Sequence, residues 1–309
     1  MLPWSQYCVE AATVMLTLAL VSTILVLAVG RGGARTSAVA TSAVARSLIP
    51  GGVLVAEEQP SAGSAPREGH RGLATYGTWL TRGSLAALTV ALVLRAVVTG
   101  HGPFANQYEF AVAFAWGIVA AYAYFEYRYR VRALGLLVQP IATALLLYAM
   151  TVGAEADPLV PALQNNLLLT VHVALAIGAY GAFCVACAAG ALFLLSPPQG
   201  RRGLPNPERL DEIAYRAVVI AFPQMTLVII LGAVWAQIAW GTYWSWDPKE
   251  TASLFTWLIY GAYLHARVVR GWRGRRAAWL LMLGFSAVLF TFFGNLFFGG
   301  LHSYSGVAK

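Results

Sequence analysis

The sequence predicts an all-α, polytopic integral membrane bundle of about eight transmembrane helices, and three observations predict it. Of the 309 residues, 59% are hydrophobic and only 11% charged, with a mean hydropathy of +0.64, a balance that fits chains embedded in lipid rather than soluble domains. Apolar stretches near the roughly 20 residues needed to cross a bilayer recur eight times. Arginines gather in alternate connections between those stretches.

The spans fall at about 7–30, 77–98, 108–126, 134–153, 167–195, 213–240, 248–269 and 277–300. The first has no small-residue cleavage site after it, so residues 1–30 read as a retained transmembrane helix rather than a signal peptide. Residues 31–75 are rich in Ala, Gly, Ser and Pro and carry both charge signs, the composition of a flexible cytoplasmic loop. Residues 76–309 then form a seven-helix core with an external loop at 240–250.

Basic residues are retained on the cytoplasmic side during insertion. One set of connections holds Arg31, Arg35, Arg46, Arg67 and Arg71, then Arg128, Arg130 and Arg132, then Arg201, Arg202 and Arg209, then the run from Arg267 to Arg276. The opposite connections and the C-terminus hold only Lys249 and Lys309. Both termini and the 240–250 loop are therefore expected on the extracytoplasmic side. The +8 net charge is accounted for by topology, which removes the reason to expect a nucleic-acid partner; the expected surroundings are membrane lipid.

Cys184 and Cys187 lie deep in the fifth span, where a thiolate is costly, and read as small packing residues; Cys8 carries no assignment. The 240–250 loop, WGTYWSWDPKE, is denser in information. Asp247, Pro248 and Glu250 occupy the N-cap, first-turn proline and capping-box positions of a helix start. Helix initiation does not explain Trp240, Tyr243, Trp244 and Trp246. Interfacial belts scatter their rings around a protein, whereas this concentration beside Gly241, with Trp235 a turn earlier, suits a platform for a large flat ligand.

Two histidines stand at the depth of that loop. His172 is about five residues inside the fifth span and His302 follows the eighth, so the pair could flank a metal-centred planar ring, for which neutral imidazole is a common axial ligand. His265 lies roughly 26 Å down the seventh helix from Pro248 at 1.5 Å per residue, too deep to share that metal. Gly261 and Ala262 beside it leave a smooth helical groove, and an ionisable group there is by default a functional-site hypothesis. His101 and His70 read as solvated; Arg95, near the outer end of the second span, would meet either a ligand carboxylate or a headgroup phosphate.

With these residues in place, the chain resembles the CcsA (ResC) family of cytochrome c biogenesis proteins, haem-handling proteins marked by a tryptophan-rich WWD motif. The resemblance runs from about Gly102 onward, through GPFANQYEF, LLLTVHVALAIGAYGAF, the stretch from LDEIAYRAVV through WGTYWSWDPKE to YLHAR, and GNLFFGGLHSY. It implies that His172 and His302 ligate haem iron at an outer site, and that Trp240, Gly241, Trp244, Trp246, Asp247 and Glu250 form the motif. It also implies that His265 binds haem within the membrane. Where the family usually has a further Trp, Ala252 stands here.

The function implied is transport of haem b across the bacterial cytoplasmic membrane and its covalent attachment to the CxxCH segment of apocytochrome c on the extracytoplasmic face. A CcsB (ResB) subunit would complete this haem lyase and supply the second histidine of the inner site, and a thioredoxin-like thiol reductase would serve it. Two rival readings stay open at this point: a haem relay of the CcmC type without synthase activity, and a structural membrane subunit or a transporter of some other flat ligand, with the histidines merely structural.

Overall fold

The computed structural model describes residues 1–44, 68–155, 163, 166–196 and 204–302. Eight α-helices follow one another: α1 (Leu2–Val44), α2 (Glu68–Thr99), α3 (Gln107–Tyr129), α4 (Gly135–Thr151), α5 (Asn166–Leu195), α6 (Pro207–Trp240), α7 (Pro248–Val269) and α8 (Arg275–Phe297). Among the described residues there is no strand. Of the loop expected over 31–75, the part to Val44 continues α1 and the part from Glu68 begins α2; the remainder lies outside the described residues. The side chain of His70 is also outside them.

Seven of the eight helices are long and apolar enough to cross a membrane, and the chain is an integral membrane protein. The exception is α7. At 22 residues it has the length, about 33 Å, but Lys249, Glu250, His265 and Arg267, together with Thr251, Ser253 and Thr256, lower its hydropathy. Arg267 binds Asp211 of α6 at 2.6 Å, and Asp211 also accepts the Gly274 N–H at 3.1 Å, so the polar end of α7 is neutralised against its neighbour.

Helix α5 is the centre of the bundle, packed against α3, α6 and α8, while α1 and α2 pair with each other and meet the rest through α4 and α3. Backbones touch where α3 crosses α5. A Cβ at Gly181 would collide with the Gly117 carbonyl oxygen, and one at Gly117 with Ile177. Small residues permit such approach, and helix association in lipid rests on the dispersion contacts it provides. Cys184 is fully buried in α5, and the Cys187 thiol lies 3.9 Å from the Met282 sulfur, so both act as packing residues.

Arg95, for which the sequence suggested a ligand carboxylate or a headgroup phosphate, is taken up by partners inside the protein. Its Nε donates to Glu109 at 2.6 Å, and its two terminal nitrogens donate to the carbonyls of Ala154 and Glu155, each at 2.9 Å. Glu109 in turn accepts the Ala105 N–H, while Asn106 caps α3 by accepting the Glu109 N–H. A charge pair this deeply covered is sustained by such extra hydrogen bonds. It fastens the end of α2 to the start of α3 beside the 240–250 loop's end of the bundle. His101 is partly covered, with Nδ1 2.8 Å from the Gly102 carbonyl.

Candidate functional site

Helix α6 ends at Gly241, whose φ of 77° a side chain would oppose. Helix α7 begins six residues later with the capping box that its sequence encodes: Asp247 accepts the Lys249 N–H at 2.9 Å, and Glu250 reaches back to the Asp247 N–H at 3.3 Å. Glu250 also accepts from the N–H and hydroxyl of Ser245, at 2.8 and 3.1 Å. One carboxylate thus ties the whole loop to the first turn of α7. Trp246 is held at φ 60°, a left-handed conformation costing a bulky residue roughly 1–2 kcal/mol, and its ring is 68% exposed.

Asp247 does more than cap. Its carboxylate is 2.8 Å from Nδ1 of His302, and its second oxygen faces the His302 N–H at 3.5 Å. Gly300 makes this possible, since a Cβ there would collide with that same carboxylate. Burial alone would raise the Asp247 carboxyl, but the hydrogen bonds from His302 and from the Lys249 backbone outweigh it and hold the pKa down to about 2. An ionised Asp247 can only accept, so the Nδ1 proton belongs to His302 and Nε2 carries the lone pair. Burial, outweighing the pull of Asp247, keeps His302 below its ordinary 6.5 and therefore neutral at neutral pH. This is the carboxylate–histidine arrangement that orients metal ligands elsewhere.

Two tryptophans enclose the same ring. Trp240 meets His302 edge to face at 4.8 Å between centroids, Trp235 lies 5.7 Å away, and the two indoles contact each other at 4.7 Å. On the facing helix, His172 of α5 lies against Gly232 of α6, where a Cβ would stand 2.8 Å from the imidazole Cε1. Its Nδ1 is buried with no hydrogen-bond partner among the described residues. Such an atom costs about 1–3 kcal/mol unless a ligand uses it.

His172 and His302 line one cavity, with about 1080 Å³ of empty space including its open mouth. Trp235, Tyr243, Trp244 and Glu250 share its wall, and Phe110 and Phe114 of α3 supply an apolar side. Lys249 also lines it, its ammonium 5.1 Å over the Phe110 ring and without a carboxylate partner among the described residues.

The loop's rings do not form one shelf. Tyr243 and Trp244 border the cavity, Trp240 stands behind His302, and Trp246 points outward, edge-on to Trp244 at 5.7 Å. Gly241 and Asp247 shape the site without lining it, and Ala252 is buried. His265 is exposed on α7, outside the cavity, one turn beyond Gly261, which faces Phe222. Sequence reasoning missed Lys249, Gly232 and the two phenylalanines. The glycine within the apolar run LGAVW was a usable signal; the phenylalanines gave none.

Titration of the Asp247–His302 pair gives a signed expectation. The depressed Asp247 pKa contributes stability present above 3.8 and lost as pH falls toward about 2. His302, held neutral, contributes above 6.5 and loses that contribution as pH falls through 6.5. In the chain without any ligand, hydrogen-exchange protection of the 242–250 backbone, corrected for intrinsic rates, is expected to be flat above pH 7 and to fall below about 6.5. Protection that stayed constant down to pH 4 would contradict the pairing.

A family model described as cytochrome C assembly protein matches residues 104–302, from the start of the cavity wall to His302 itself. The chain belongs to the cytochrome c assembly family. Its relatives in this family include the cytochrome c biogenesis protein CcsA of Guillardia theta, 36% identical over 251 residues, covering 71% of this chain and 83% of the relative. CcsA of Microcystis aeruginosa is also 36% identical, over 290 residues, covering 75% and 87%. The same fold occurs in the solved structure of the cytochrome c haem lyase CcmF, with a TM-score of 0.56 at 20% identity; the match covers 93% of this chain but 46% of CcmF, so the chain spans about half of that protein.

Proposed function

We propose that this member of the cytochrome c assembly family carries haem b across the bacterial cytoplasmic membrane and, with a CcsB (ResB) subunit, attaches it to apocytochrome c on the extracytoplasmic face. The observation that carries the reading is the pairing of His172 and His302 across one cavity, with His302 oriented by Asp247 and enclosed by indoles. The donor set fits haem: a buried imidazole Nδ1 without a hydrogen-bond partner among the described residues on one side, a neutral imidazole with a fixed Nδ1 proton on the other, and aromatic walls between.

In this reading His172 and His302 are the axial ligands. Asp247 holds His302 in the ligating tautomer, Trp240 and Trp235 fix its ring plane, and Trp244 and Tyr243 bound the cavity. Lys249 offers a positive charge to a haem carboxylate, and the apolar face of Phe110 and Phe114 excludes water. Haem supplies the bond chemistry: each vinyl group accepts the S–H of one CxxCH cysteine across its double bond, forming a thioether with no net redox change. The chain's contribution is positioning, which raises the effective concentration of the reacting groups. Trp246 and Tyr243 at the exposed rim suit contact with the apocytochrome, whose thiols a thioredoxin-like reductase would keep reduced.

His265 belongs to a second, inner site. Its exposure on α7 beside Ala262 and Gly261 suits half of an intersubunit site completed by the CcsB partner, loaded from the cytoplasmic side. The test is co-expression of the chain with a CcsB-like partner and a CxxCH-bearing apocytochrome, scoring haem-stained covalent product. Wild type should yield product, and His265→Ala should lower haem at the outer site as well as product. Normal outer loading in that variant would show that haem takes another route.

A further inference from the structure

A second cavity opens at the other end of the bundle. Arg209, near the start of α6, and Trp240, at its end, are separated by roughly 46 Å of helix, so this cavity and the histidine cavity lie at opposite membrane faces. It has about 950 Å³ of empty space including its mouth. Ser22, Thr23, Val26 and Leu27 of α1 and Thr78 of α2 form one side; the turn after α3 and the residues leading into α6 form the other.

Three arginines stand at its rim: Arg130, Arg132 and Arg209. Arg132 is occupied within the protein, its Nε 3.1 Å from the Thr78 hydroxyl and 3.5 Å from the Glu126 carboxylate. Arg209 donates to the Tyr129 carbonyl, and Arg130 lies over the Tyr127 ring at 5.7 Å. Among the described residues neither Arg130 nor Arg209 has a carboxylate partner. Arg130 is also held at φ 56°, a left-handed conformation that a non-glycine residue adopts at a cost.

The walls are amphipathic. Besides the arginines, Thr23, Thr78 and Glu126 give polar lining, while Val26, Leu27, Leu204 and Pro205 give apolar lining. Two cations without a carboxylate partner among the described residues, over an apolar slot in a membrane helix bundle, match a ligand with an anionic head and acyl chains.

We infer that this cavity binds an anionic phospholipid, with its phosphate held by Arg130 and Arg209 and its chains lying along α1. Basic pockets between transmembrane helices recognise such headgroups, each arginine contributing to the attraction of the anionic leaflet. The bound lipid bridges the α1–α2 pair to the turn after α3 and the start of α6.

The full chain, purified in non-ionic detergent, is offered phosphatidylglycerol, phosphatidylcholine of the same chains, or inorganic phosphate, and retained lipid is read by native mass spectrometry. Phosphatidylglycerol is expected to be retained at least about tenfold better than phosphatidylcholine, and to raise the thermal midpoint. Arg130→Gln/Arg209→Gln, at exposed positions, should lose that preference and that shift, while Arg273→Gln on the α7–α8 loop keeps both. Equal retention of the two lipids, unchanged retention in the double variant, or equal loss in the Arg273 control would overturn the assignment. Complete displacement by millimolar inorganic phosphate would overturn it in favour of a soluble anion.

Discussion

Cytochrome c output is expected to collapse when either His172 or His302 is replaced by alanine, by about a hundredfold or more, exceeding the 10–100-fold typical of losing a residue that merely supports a metal ligand. The fold should survive both changes. His172→Ala removes a buried Nδ1 that has no hydrogen-bond partner among the described residues, and His302 follows the last transmembrane helix. The thermal midpoint should therefore stay near wild type in His172→Ala and fall modestly in His302→Ala, which leaves the Asp247 carboxylate without its ring partner, while haem-stained cytochrome disappears in both. Added imidazole, small enough to enter the vacated side of the cavity, should restore part of the output in each single variant. Output near wild type without imidazole would remove these residues from the iron.

Asp247→Asn is the second large effect, and it separates two roles that one side chain combines. Asparagine caps a helix about as well as aspartate, so the start of α7 should be preserved. What is lost is the negative partner of the His302 Nδ1 proton. Haem affinity at the outer site is expected to fall 10–100-fold with little change in thermal midpoint. Asp247→Ala should show the same affinity loss plus about 1 kcal/mol of stability from the missing cap. If Asn retained wild-type affinity and Ala did not, Asp247 would be a cap and nothing more.

The helix start at Asp247 was legible because a capping box is a local pattern spanning four residues. The link from Asp247 to His302 was not, because 55 residues separate them and only the return of α8 beside α7 brings them together. Arg95 could be recognised as a costly charge, but its partner Glu109 and the carbonyls it binds come from two other segments. The eight helices followed from apolar length, and α7 was the weakest of them for the polar side chains that seat it against α6. For the rings, sequence gave their number and depth; whether an indole faces the cavity, as Trp244 does, or backs His302, as Trp240 does, depends on the turn at Gly241 and the strained φ of Trp246.

The most direct measurement is the Soret absorption of the chain purified after co-expression with its CcsB-like partner, in wild type and in His172→Ala/His302→Ala. Wild type should carry haem, and the double variant should keep only the fraction held at His265, recovering absorption when imidazole is added. A wild-type chain without Soret absorption, or a double variant with the full wild-type spectrum, would contradict the assignment of the outer cavity to haem.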